Sequence, residues 1–164
     1  MADYGFDGMI KVSFVPTLAT PSAPTAVALT AGTPLEGRLT ADGLSIAIDT
    51  ASIDTSTLNS TANSQTIGRD SYTVSLKYVR GDSTDATAVQ TTLIRGASGY
   101  LVVRRDKLST VAWTTADKVE VYPVVVARPN PDSPAANALQ TVNVALMVTD
   151  GNGVRGIDNP ATVA

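Results

Sequence analysis

The sequence predicts a mainly β protein: an antiparallel β-sandwich or barrel-like domain with one flanking α-helix. Thr, Ser, Ala and Val dominate the composition, whereas Glu occurs only at Glu36 and Glu120. β-Branched residues favour sheets, and long helices favour residues such as Glu. The pattern of half-buried strands, in which apolar and polar residues alternate, recurs over residues 9–15, 44–48, 71–79 and 141–149.

A single helix is expected over residues 84–95. Ser83 or Thr84 can cap its N-terminus, and Gly96 can end it. The apolar residues that share one face of this helix are Ala86, Val89 and Leu93. One helix among many strands indicates a sheet with a helix packed on it.

The 164 residues are expected to form one domain. Three segments look like extensions from it: an N-terminal strand and arm over residues 1–43, a long inter-strand loop over 49–64 and a C-terminal tail over 150–164. The loop is the most unusual of the three, because loops longer than about 12–15 residues are uncommon in a compact domain and are usually functional or disordered.

No catalytic residue, cofactor or metal site is predicted. The chain has no Cys and no His, which excludes thiolate and imidazole ligands and His-dependent triads. The GNGVRG stretch at 151–156 matches a dinucleotide-binding pattern, but Pro160 leaves no room for the helix that the pattern needs. The Asp49 and Asp54 carboxylates are expected in solvent.

The charge pattern argues against nucleic-acid and membrane binding. The formal net charge is −3 and no basic stripe is present. No apolar run is long enough for a membrane anchor, and the N-terminus lacks the features of a secretory signal. Arg104 and Arg105 end a predicted strand, and we expect their side chains in solvent. Trp113 is expected in the core or at an interface.

Several stretches of the sequence are similar to one family. They are DGMIKVSFVPTLATPSAPTAVALTAGTPLEGRLTADGL (7–44), SQTIGRDSYTVSLKYVRGD (64–82), GYLVVRR (99–105) and WTTADKVEVYPVVVARPNP (113–131). They resemble the major tail proteins, the tail tube subunits of long-tailed bacteriophages, especially those that infect actinobacteria. The resemblance covers most of the chain and is poorest after Thr149.

The resemblance implies a structural virion protein. Six subunits of such a protein close into a ring whose inner sheets join into one β-barrel, and stacked rings form the tail tube that delivers the genome. The implied partners are copies of the chain itself, the tape measure protein, the tail terminator and the baseplate or tip proteins. The implied location is the virion tail, assembled in the cytoplasm of the host bacterium.

The resemblance also implies two sets of functional residues. A long loop of the inner sheet reaches neighbouring subunits, which assigns this role to residues 49–64, with candidate contacts at Asp49, Ile53, Asp54, Leu58 and Asn59. DNA must pass the channel wall without specific binding, so the wall should lack clustered Lys and Arg. Two polar strand faces fit this wall, and Lys77 counts against the first: Ser71, Thr73 and Ser75 on one strand, or Thr141 and Asn143 on another.

Two alternatives remain at this stage. One is another ring-forming protein of a phage or injection machine, such as a tail terminator, a neck protein or a contractile inner tube, which differs in whether its rings stack. The other is an immunoglobulin-like binding module, which short strands and Thr-rich composition also suit. The missing export signal and the lack of a binding constellation count against that module.

Overall fold

Nine strands form one antiparallel sheet in the structure, a computed structural model that describes residues 3–164. The mainly β fold expected from the sequence is confirmed. The strands are β1 (Lys11–Val15), β2 (Thr33–Pro34), β3 (Leu39–Asp54), β4 (Gln65–Val79), β5 (Ser98–Arg104), β6 (Lys118–Val126), β7 (Asn130–Pro131), β8 (Thr141–Val148) and β9 (Ala161–Thr162). The helices are α1 (Ala26–Thr30) and α2 (Thr84–Thr92), and a 3-10 turn spans Gly151–Gly153.

A short segment of the chain joins the two sides of the sheet. Its strand order is β2-β1-β5-β6-β8-β4-β3, with β7 paired to β8 and β9 paired to β6. Residues 35–38 lie between the edge strands β2 and β3 and bond to the strands next to them: Leu35 N donates to Val12 O of β1 at 2.9 Å, and Val79 N of β4 donates to Arg38 O at 2.9 Å. This connection gives the domain a barrel-like shape with one apolar interior.

The main core fills this interior, and α2 packs against it. Strands β4 and β8 alternate as the sequence predicts, with one face of each buried. Ala86, Val89 and Leu93 of the helix segment are also buried. Ser83 caps α2 by accepting the Ala86 N–H at 3.3 Å. The helix ends three residues before the expected position, because Leu93 leaves the helical conformation. No helix within residues 3–164 is long and apolar enough to cross a membrane.

A second apolar cluster lies on the other face of β1, β5 and β6. Its buried members are Val15, Leu18, Leu29, Val102, Trp113, Val119, Val121, Ala161 and Val163. The N-terminal and C-terminal segments therefore pack on the sheet, which differs from the extended arms that the sequence suggests over 1–43 and 150–164. Scattered single apolar residues anchor these Pro- and Gly-rich stretches, so they have no periodic pattern to indicate burial. Met1 and Ala2 lie outside the described residues.

Arg104 organises the irregular segment between β5 and β6. Its side chain is completely buried, contrary to the expected solvent-exposed strand end. The guanidinium donates to the carbonyl oxygens of Leu108 (3.0 Å), Val111 (2.8 Å) and Ala112 (2.9 Å) and to Asp117 Oδ2 (2.8 Å). It also lies 5.2 Å from the centre of the buried Trp113 ring. These contacts tie a segment without regular structure to the end of a core strand.

Asp117 is the counter-ion of this buried arginine. Burial raises the pKa of its carboxyl, but hydrogen bonds from Lys107, Thr114 and Arg104 outweigh burial and hold that pKa well below the ordinary value of 3.8. Removing one partner of a buried ion pair leaves an uncompensated charge, which typically costs about 3–5 kcal/mol.

We expect Asp117→Asn to lower the free energy of unfolding by about 3 kcal/mol at neutral pH. Because the pKa of Asp117 is lower in the folded chain, its carboxylate stabilises the fold above pH 3.8, and this contribution is lost as the pH falls. Urea unfolding of both proteins between neutral and acidic pH should therefore show the stability difference shrinking below about pH 4. A constant difference across that range would contradict this account. Asp82→Asn, at an exposed site, is the control.

A bulge near the start of β3 sets the register of the longest strand pair. Leu39 pairs with Tyr78, but Leu44 pairs with Leu76, so β3 carries extra residues between these points. Gly43 lies in the bulge, where a Cβ atom would stand 2.4 Å from the carbonyl oxygen of Lys77. Only a glycine allows the two backbones to approach this closely.

Gly43→Ala should destabilise the protein by about 1–3 kcal/mol, because the Cβ must push β3 away from β4. The matched control is Gly37→Ala, at a position where a Cβ meets nothing within 4 Å. That control should change stability by no more than about 0.5 kcal/mol. Thermal or urea unfolding of the two variants checks the difference, and equal stabilities would refute the close approach.

Candidate functional site

Strands β3 and β4 continue beyond the rest of the sheet as a two-stranded arm, residues 47–73. Strand β8 pairs with β4 only over 74–79, so the strands of the arm pair with each other alone. The structure thus corrects the loop expected over 49–64, because β3 runs to Asp54 and only residues 55–64 form a loop. Both faces of the arm are almost entirely exposed over residues 49–70, so the sequence there lacks the alternation that marks a half-buried strand.

The tip of the arm, residues 55–64, is closed by its own polar groups. Thr55 N donates to Ser64 O at 2.9 Å, and Ser64 N donates to Ser56 Oγ at 3.0 Å. Thr57 N donates to Ser60 Oγ at 3.0 Å. Short hydroxyl side chains can bond to nearby backbone groups in this way. The Ser- and Thr-rich composition therefore builds a defined turn.

The five residues predicted to contact other subunits fall in two places. Asp49, Ile53 and Asp54 lie within β3, whereas Leu58 and Asn59 lie in the tip. Asp49 and Asp54 are five residues apart in one strand and so point to opposite faces. Their carboxylates therefore do not share a cation. Hydrogen bonds from the backbone and side chain of Ser56 lower the pKa of Asp54. The same hydrogen bonds fix the start of the tip.

Large apolar side chains of the arm are exposed. Leu58 is fully exposed, Ile67 is 80% exposed, and Ile48 and Ile53 are each 52% exposed. The strand register places Ile48 and Ile67 on the face that continues the core side of the sheet, and Ile53 on the opposite face. The sequence analysis did not predict that Ile48 and Ile67 would be exposed on the arm. It assigned Ile48 to the body of a strand and did not single out Ile67.

Strand β3 is also the last strand of the sheet. Over residues 44–54 its outer edge has no strand partner within the described part of the chain. The opposite edge strand, β2, is only two residues long. Long, open edges are ready to pair with another strand. The apolar side chains of the arm and the free edge of β3 thus belong to one continuous region.

The two polar faces proposed for the channel wall are one surface. Strands β4 and β8 are neighbours, and their register places Ser75 opposite Ala145 and Lys77 opposite Asn143. Opposed residues share a face, so the candidates on both strands point the same way: Ser71, Thr73, Ser75, Thr141 and Asn143. The sequence leaves open which of the two strands lines the channel. No choice between them is needed, because both strands contribute to one surface of small neutral side chains.

Lys77 is the one basic side chain on this surface between Ser71 and Val79 of β4 and along β8. Its Nζ lies 3.1 Å from Asp132 Oδ2, and the same carboxylate accepts hydrogen bonds from Thr141 and Asn143. These hydrogen bonds lower the pKa of Asp132; the bond from Thr141 has the largest effect and the bond from Lys77 the next largest. The lysine that counts against the first face is therefore paired with a carboxylate.

The described residues 3–164 contain no group of three or more acidic side chains suited to bind a metal ion. The GNGVRG stretch begins with the 3-10 turn Gly151–Gly153. Arg155 then pairs with Val121 of β6. This backbone does not form the helix N-terminus that holds a dinucleotide pyrophosphate.

Comparisons with known proteins were made for the fold and for the family. A solved structure, the cryo-EM structure of the anti-feeding prophage baseplate, 6-fold symmetrised, contains a chain with a similar fold. The TM-score is 0.55, the sequences are 11% identical, and the match covers 92% of this chain and 95% of the other. No curated protein sequence matches the chain.

The family is shown by a second comparison. The model of the phage tail tube protein family matches residues 1–157. This range includes the arm, the polar surface and Asp132. The chain belongs to the phage tail tube protein family and is a structural protein of a phage tail.

Proposed function

We propose that copies of this chain close into hexameric rings, and that the rings stack into the tube through which the phage genome leaves the virion. Membership of the tail tube family supports the tube. The number six comes from the family resemblance, and the similar baseplate chain comes from an assembly treated with six-fold symmetry. The arm contacts neighbouring copies, and the polar surface of β4 and β8 lines the channel.

The observation that carries this proposal is the unsupported arm. A two-stranded ribbon is marginally stable in water by itself, and three or more strands or a packed face are needed for independent stability. The arm of this chain exposes apolar side chains on both faces. Contact with a second copy would bury these side chains and give the open edge of β3 a partner, which stabilises both copies.

The polar surface suits a channel wall for a different reason. Its Ser, Thr and Asn side chains are short and uncharged, so they offer DNA phosphates no row of cations. The arm and this surface share strand β4, so an arm contact between copies would align their channel walls. The tape measure protein, the tail terminator and the baseplate or tip proteins would contact the resulting tube, assembled in the host cytoplasm.

Replacing the tip, residues 55–64, with Asn-Gly should abolish stacking while leaving the domain folded. Asp54 is paired with Gln65, and a two-residue Asn-Gly loop joins such a pair without strain. Negative-stain electron microscopy of the concentrated protein should show hollow tubes of uniform diameter for the unmodified chain and none for the variant. Thermal unfolding should show that the variant is folded, and Thr61→Ala, within the tip, should still form tubes.

Other outcomes separate the alternatives. Discrete rings of the unmodified chain that never stack would indicate a tail terminator or neck protein. Monomers at high concentration would contradict self-assembly of the purified chain. Tubes formed by the variant without the tip would contradict the role of the tip and leave the tube itself standing.

Ile67→Thr and Ile53→Thr test which face of the arm is covered in the assembly. Both side chains are exposed, so each substitution should change the stability of the monomer by no more than about 0.5 kcal/mol. Burial of an isoleucine at the contact contributes about 1.5–3 kcal/mol, and about 1.4 kcal/mol corresponds to a tenfold change in an equilibrium constant. Sedimentation should therefore show a roughly tenfold higher critical concentration for the variant whose face is covered. No change in either variant would argue against arm contacts.

A further inference from the structure

The Pro-rich segment after β6 places a carboxylate on the proposed channel wall. Strand β7 in this segment pairs with β8, placing Asn130 opposite Asn143 and Pro131 opposite Val142. Asp132 follows directly, and its N–H donates to Thr141 O at 3.1 Å. The backbone therefore fixes Asp132 beside the polar surface, where its side chain meets Lys77.

Three donors hold the Asp132 carboxylate. Thr141 and Asn143 of β8 donate to its two oxygens, and Lys77 of β4 approaches one of them at 3.1 Å. The side chains of Lys77 and Asp132 are 37% and 30% exposed. The pair is thus partly shielded from water, and its geometry is set by two adjacent strands.

In a tube, the positive charge of Lys77 would be repeated once in every subunit. Each ring would bring one Lys77 from every copy to the channel, and stacked rings would form rows of ammonium groups along the path of the DNA. Lysines that neutralise phosphates release condensed counterions, and the resulting affinity grows with the number of contacts. Unpaired lysines in such rows would therefore retain DNA in the channel.

We infer that Asp132 neutralises Lys77 so that the channel wall does not bind the genome. This inference rests on the proposed function, because it requires the polar surface to face the channel. Asp132 acts here through Lys77 and is not itself a DNA contact. The expected ligand of the unmasked wall is the phosphate backbone of double-stranded DNA, bound without regard to sequence.

The test uses assembled tubes and a short fluorescent DNA duplex. Tubes of the unmodified chain, of Asp132→Asn and of Asp132→Asn combined with Lys77→Met are sedimented with the duplex at about 50 mM and about 200 mM salt. Asp132→Asn tubes should retain at least about tenfold more DNA at the lower salt and lose most of it at the higher salt. The double variant should return to the level of the unmodified chain. Asp82→Asn removes the same charge at an exposed turn and should change nothing.

Each result decides the matter. DNA retention by Asp132→Asn tubes that disappears with Lys77→Met supports the inference. Retention equal to that of the unmodified tubes, or retention that persists without Lys77, overturns it. If neither Asp132→Asn nor Asp132→Ser forms tubes while the unmodified chain does, Asp132 has a structural role and the inference also falls. Failure of the unmodified chain to form tubes would overturn the proposed function as well.

Discussion

The arm has no third strand, and this constraint governs how the rest of the molecule is used. About eight residues of β3 extend past Ile46, the partner of Val74, and Val74 is the last residue of β4 that pairs with β8. The arm therefore leaves two faces and both edges in water. The rest of the sheet is comparatively well covered. Strand β2 limits one edge to two residues, and the chain termini cover the outer face of β1, β5 and β6. Open strand edges and exposed isoleucine side chains thus occur together on one projection.

The body that carries this projection is held by charge as well as by apolar packing. Arg104 collects three carbonyl oxygens and the Asp117 carboxylate inside the domain, so the segment between β5 and β6 is fixed without regular secondary structure. Removing a partner from such a buried network is costly, because it leaves another buried polar group unsatisfied. The exposed surface has small neutral hydroxyl groups instead of charged networks. These groups lose little side-chain entropy when a neighbouring subunit covers them.

The parts of the fold that the sequence predicts are those with one buried face. Alternation along β4 and β8 and the apolar face of α2 indicate the core directly, since burial leaves a periodic pattern. The arm has no buried face, so its strands look like a polar loop. Arg104 looks like a solvated strand end, because the carbonyls that surround it belong to a nearby irregular segment, and no periodic pattern indicates how that segment folds back. The union of the two polar faces likewise depends on the pairing of β4 with β8, which local sequence does not determine. The family was predicted from a resemblance that covers most of the chain.

The position of the arm gives the subunit a direction. The tip and the Gly43 bulge lie toward opposite ends of β3, a strand of sixteen residues that spans roughly 50 Å. A copy that extends its arm toward a neighbour therefore presents a different surface at its rear. Any polymer built by this contact has two chemically distinct ends, so one protein can start it and another can cap it. The same contact forms between every pair of neighbouring copies, so it does not depend on how many copies the polymer already contains. The length of the polymer must therefore be measured by something other than this chain.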